Sequence, residues 1–152
     1  VSELVAAEIA RLPRGTGPIE ALRRAHTAVL TGVLERRGGT VTSGRVGLIL
    51  RIFNNSNALR QSAFEYQSSK VVRALAALMG VTDDDPGLRL GMSMFSVLIV
   101  TACSDLVADT DEARLGPELM IERLDQACRQ LADFAGELFS IGPDEKDAVT
   151  NG

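Results

Sequence analysis

The residues predict an all-α fold: one domain of six helices, the last two pairing with their copies in a second subunit as a four-helix bundle. Three observations carry this. Apolar residues recur at three- and four-residue spacing through every long segment, as they do on one face of a helix. Proline, glycine and acidic clusters stand between those segments, where they start or stop helices. The one stretch with the composition of a buried strand, residues 45–53, has no second strand to pair with.

In chain order, residues 1–12 form a short helix, with Val5, Ile9 and Leu12 on one face, stopped by Pro13. Because Val1 is already in helical register, the start resembles a cut end with something missing upstream. A long helix runs from Pro18, a tolerated first-turn proline, to Arg37. Its stripe is Ile19, Leu22, His26, Val29 and Val33; Glu20 and Arg24 form an exposed i,i+4 pair, and Gly38 and Gly39 end it. Residues 45–53 read as a short helix with Val46, Ile49, Leu50 and Phe53 on one side. The run 54–57 breaks the chain, Asn57 caps the next helix, and that helix reaches Met79 before Gly80.

The acidic turn Thr82 to Asp85, followed by Pro86, starts the fifth helix, which reaches about Ala108. It holds fifteen uncharged residues between Arg89 and Asp105. Met92, Phe95, Ile99, Ala102 and Leu106 share one face, and Leu90, Met94, Leu98 and Thr101 make the other nearly as apolar. Such a helix must be covered all round by its domain, a partner subunit or lipid. Lipid is disfavoured because a span needs about 20 apolar residues, and this run is shorter and interrupted by Gly91, Ser93, Ser96 and Thr101. The last helix, Pro117 to Phe139, carries the heptad Met120, Leu124, Ala127, Leu131, Phe134 and Leu138, widened by Ile121, Cys128 and Ala135. Residues 1–140 therefore make the domain, and 141–152 a flexible tail.

Composition bounds the function. A length of 152 residues and 45% hydrophobic content suit one domain with a real core. A net charge of −4, arginines scattered among acids and 4% aromatics argue against a phosphate-gripping surface; no helix-turn-helix fits once the helices are allotted. Cys103 and Cys128 lie inside apolar helical patterns without a CxxC spacing and read as reduced core residues of a cytoplasmic protein. No secretory leader is recognisable. A single histidine rules out a His-rich metal site; Asp83, Asp84 and Asp85 serve as helix caps. With neither GxSxG nor a phosphate-cradling glycine loop, no catalytic residue, metal or cofactor is expected, and the chain does not read as an enzyme.

What remains is a mixture of large apolar and few polar residues that suits a pocket between helices. His26, Phe53, Tyr66, Met92, Phe95 and Ile99 are its candidate lining, with Asn54, Ser93, Ser96 and Thr101 as scattered polar groups. No charged residue falls on the predicted faces, so the ligand is a small, mostly apolar effector. The surplus apolar surface of the two closing helices predicts a homodimer through Ala102, Leu106, Leu124, Ala127, Leu131 and Phe134. Two alternatives stay open: a structural dimerisation module without ligand, and a small helical enzyme using His26 as base.

The order of elements carries a resemblance. A short helix leads to a long one ending in Arg36-Arg37, then a short apolar helix and the stretch from Phe53 through Asn57 to Ala58-Leu59-Arg60. A helix ending Leu78-Met79-Gly80-Val81, the turn Thr82 to Asp85 and two long helices follow. Over residues 1–140 this resembles the C-terminal regulatory domain of TetR-family transcriptional repressors, without the family's N-terminal helix-turn-helix. The resemblance implies that residues 1–12 belong to the helix linking the two domains. It implies that helices 18–37, 45–53, 58–79 and the first half of 86–108 wall an effector pocket. It further implies that the closing helices form the dimer bundle, that DNA is bound only through an N-terminal domain not in this chain, and that no membrane is involved.

Overall fold

The computed structural model describes residues 1–35, 42–55, 68–103 and 116–139, with the backbone alone at 50, 52–55 and 138–139. Among them are six α-helices and no strand: α1 (Ser2–Ile9), α2 (Pro18–Leu34), α3 (Ser43–Asn55), α4 (Ser69–Met79), α5 (Pro86–Cys103) and α6 (Pro117–Phe139). The predicted Gly38-Gly39 stop, the Asn57 cap, the first half of the fourth helix, the stretch 104–108 and the tail lie outside the described residues.

Local chemistry explains most boundaries. Pro18 and Pro117 occupy first helical positions, where a missing N–H costs nothing. Asp85 caps α5: its Oδ1 accepts the Leu88 N–H at 2.9 Å, and Pro86 follows it directly. Gly80 ends α4 in the left-handed conformation, φ 70°, and the Val81 N–H closes back to Ala76 O at 3.0 Å. Other ends differ from the periodicity. α1 stops at Ile9, and residues 10–12 tighten into a turn through the Arg11 N–H to Glu8 O and Leu12 N–H to Ile9 O bonds. α2 ends at Leu34 with Glu35 as its cap, three residues before Arg37. α3 begins at Ser43, where the sequence lets the element open, and takes in Asn54 and Asn55, two residues beyond the expected end.

The helices assemble around α2, which touches α1, α4, α5 and α6. One face of α2 buries Ala21, Leu22, Ala25 and Val29 in a core with Val5 and Ile9 of α1, Val71, Leu75 and Leu78 of α4, Leu88, Met92 and Phe95 of α5, and Leu124 of α6. Full burial of a leucine such as Leu75 or Leu88 contributes about 1.5–3 kcal/mol. A second, smaller cluster joins Leu30 and Val33 of α2 to Val46, Cys103 and Leu119. Both cysteines are free thiols, and burial pushes that of Cys128 up.

Arg23 ties α2 to α6. Its guanidinium grips Glu20 through Nε and Nη2 at 2.7 and 2.8 Å and donates from Nη1 to Asp125 at 2.8 Å. The Arg23 guanidinium, helped by Arg24 at 2.6 Å, holds the Glu20 carboxyl down at about 2. All three partners keep solvent contact, so this bridge fixes register more than it adds stability.

α5 departs from the expectation of an all-round covered helix. It buries Leu88, Gly91, Met92, Phe95 and Cys103, while Leu90 is 62% and Val97 48% exposed. By length and composition it could cross a membrane, with a mean hydropathy of 1.4; 28% of it is buried, and it packs on α2 and α6.

The buried edge of α5 includes Gly91, where an added Cβ would stand 2.6 Å from Cγ and 2.8 Å from Cβ of Pro18. Gly32, inside α2, faces open space. The same substitution therefore has opposite signs at the two sites. In urea unfolding, Gly91→Ala lowers stability by about 1–3 kcal/mol of overpacking, less a helix-propensity gain of about 0.5–1. Gly32→Ala raises it by roughly 0.5 kcal/mol. A neutral or stabilising Gly91→Ala would contradict the close approach.

Candidate functional site

Where α1, α2, α4 and α5 meet, the core opens into a cavity of about 160 Å³. α2 supplies Leu22 and His26, one turn apart; α5 supplies Met92, Phe95, Ser96 and Ile99, positions on one side of a helix. Val5 and Ser2 of α1 close one wall, and Val71 with Ser68 at the start of α4 closes another. Among the described residues no Asp, Glu, Lys or Arg lines it. A larger groove of about 500 Å³ lies between α1 and α2, lined by Leu4, Glu8, Arg11, Ala28, Val29, Thr31 and Gly32. Only two helices wall it, and the Glu8–Arg11 ion pair, 2.6 Å, occupies its edge. The four-helix cavity is the better candidate on chemistry, because its lining is largely apolar with an imidazole among it.

His26 is its one titratable lining side chain. The ring sits 5.0 Å from that of Phe95, centroid to centroid, tilted by 43°. Nδ1 lies 2.8 Å from the Leu22 carbonyl oxygen. A carbonyl can only accept, so Nδ1 carries the proton and donates. The neutral ring then holds a lone pair at Nε2, at its tip, for which the described residues supply no hydrogen-bond partner. Burial pushes the imidazole below its ordinary value of 6.5, with the Leu22 carbonyl opposing in part. Ser96 donates its hydroxyl to Met92 O at 3.0 Å and can still accept.

Four of the six candidate lining residues thus meet at one cavity: His26, Met92, Phe95 and Ile99. The Phe53 side chain and Tyr66 lie outside the described residues. Among the described side chains α3 contributes nothing to the wall, whereas α1 does, a role that the resemblance gave to the neighbouring helices. Ser93 and Thr101 are exposed on the far side of α5. Sequence reasoning missed Ser2, Val5, Leu22, Ser68 and Val71 as lining. Val5, Leu22 and Val71 sit on apolar stripes, but nothing in a stripe says which neighbouring helix it meets.

The candidate interface residues divide. Leu124 is in the main core of one chain and Ala127 is buried too, because α6 lays that turn against α2 beside the Arg23–Asp125 bridge. Ala102 is half-covered by the second cluster, Leu131 is half-buried, and Phe134 is 63% exposed; Leu106 lies outside the described residues. A partner would therefore find Phe134 and Leu131, not Leu124 or Ala127. Among the described residues no three of His, Cys, Asp and Glu converge as metal ligands would.

The state of His26 sets a pH dependence. The unfolded chain protonates its imidazole near 6.5, whereas the folded chain does so only at a lower pH. Below 6.5 the unfolded state thus binds more protons, and stability falls as pH drops toward the folded value. Urea titrations at about pH 7.5 and about pH 5.5 check this, with a larger loss in the parent than in His26→Phe. An equal loss in both would mean the imidazole is not buried neutral.

No protein-family model, no curated protein and no solved structure matches the chain in sequence or fold comparisons.

Proposed function

We propose that this chain is the effector-binding and dimerisation domain of a TetR-like, ligand-responsive transcriptional repressor that acts in the cytoplasm. The observation that carries this reading is the largely apolar cavity shared by α1, α2, α4 and α5, with the half-buried His26 as its polar anchor between α2 and α5. A concave apolar site with few converging polar groups is what a small-molecule sensor requires. In this reading α1 continues toward a DNA-binding domain that lies outside these residues. α1 also walls the cavity through Ser2 and Val5, and the Glu3–Lys70 ion pair ties it to α4. A ligand wedged among these helices favours one placement of α1 over another, and operator affinity changes by that difference. Couplings of this kind are typically about 1–3 kcal/mol.

Dimerisation is the second half of the reading. Leu90 and Val97 are exposed on α5 with Met94 half-buried beside them, and on α6 Phe134 is exposed and Leu131 half-buried. Exposed apolar side chains on two neighbouring helices suit a subunit contact. A twofold copy covers both helices at once.

Phe134 gives a clean test because it supports nothing within one chain. Sedimentation velocity of the parent shows a dimer, and Phe134→Glu shifts it to monomer with the helical circular dichroism unchanged, since a carboxylate buried unpaired at the interface is costly. A monomeric parent, or a dimer that tolerates the change, would remove this part of the reading.

A further inference from the structure

Resting on the effector-pocket reading, we propose that the cavity selects a neutral, single-ring ligand carrying one hydroxyl, a phenol or like-sized cyclic alcohol, whose O–H donates to His26 Nε2. Size comes first. A cavity of about 150 Å³ lined by apolar side chains accepts benzene, whereas drug-sized ligands need roughly 300 Å³ or more. At about 160 Å³, the space among Leu22, Val71, Met92 and Phe95 fits one ring.

Hydrogen-bond direction comes second. The Leu22 carbonyl holds the proton on Nδ1, so the free nitrogen accepts. Beside the imidazole on α5, the Ser96 hydroxyl proton is committed to Met92 O, and the remaining lining hydroxyls, Ser2 and Ser68, stand on the α1 and α4 walls. A ligand O–H matches Nε2. Charge comes third: among the described lining residues there is no Lys or Arg, so an anion finds no cationic side chain on these walls. A cation has no Asp or Glu to meet it. The Phe95 ring, 5.0 Å from the imidazole, offers a face or edge to an aromatic ligand.

Phenol and toluene are nearly the same shape and differ in the hydroxyl, so the ratio of their affinities isolates the bond. Titration of the full chain is followed by the methyl resonances of methionine and by calorimetry. The expected result is that the phenol-to-toluene affinity ratio falls roughly tenfold in His26→Phe, the worth of about one hydrogen bond to a buried acceptor. Benzoate binds least of the three. Imidazole nitrogen resonances of the unsubstituted protein, which has one histidine, supply a readout independent of mutation. Nε2 is unprotonated in the free protein and shifts with phenol but not with toluene. Toluene and phenol binding with a ratio indifferent to His26, or a protonated Nε2 in the free protein, would overturn the ligand class while leaving the pocket. If neither compound moves the Met92 methyl, the pocket reading falls with it.

Discussion

Pro18 lies so close to the backbone of Gly91 that one methyl group on α5 would come within 2.6 Å of its ring. That contact sets the distance between the start of α2 and α5, and the rest of the molecule is arranged by what it leaves behind. Ala21 and Ala25 continue the close approach along α2 with small side chains that are fully buried. Beside them, larger residues face the cavity: Leu22 and His26 from α2, Met92 and Phe95 from α5. Close-packed interiors do not leave such space by default, since each lining atom forfeits dispersion contacts there.

α2 has to satisfy this contact while also serving α1, α4 and α6. The Arg23 bridge helps by fixing α6 in register from the other side: one guanidinium joins a carboxylate on its own helix to one on α6. With α6 so placed, Leu124 joins the shared core, and the outer surface of α5 and the far half of α6 are left uncovered. The cavity and the open face are consequences of the same packing, on opposite sides of α5.

How much of this was legible in the residues depends on the range of the forces involved. Asp85-Pro86, Pro117 and Gly80 act within one turn, and the helix ends they set are where the sequence places them. The all-α class followed from periodicity, which is equally local. The end of α2 was read too late because an Arg-rich segment keeps helical composition without a cap, and the end of α3 too early because asparagines tolerate a last helical turn. Which stripe meets which was not legible at all. Gly91 looked like an interruption in an apolar run, and its role shows only once Pro18 lies against it. Met92, Phe95 and Ile99 could be grouped because they share one helix face; Val5 and Val71, on other helices, could not be added to them. Leu124 illustrates the converse, since a heptad position looks the same whether it faces its own core or a second subunit.

The central claim is that the chain works as a dimer in which each subunit holds one small, mostly apolar molecule in the α1/α2/α4/α5 cavity. Native mass spectrometry of the purified protein, alone and with added single-ring compounds, reads both parts in one spectrum. The account predicts a mass of two chains that takes up one ligand per subunit, saturating at two per dimer. A mass of one chain that acquires no ligand at any added concentration would contradict it.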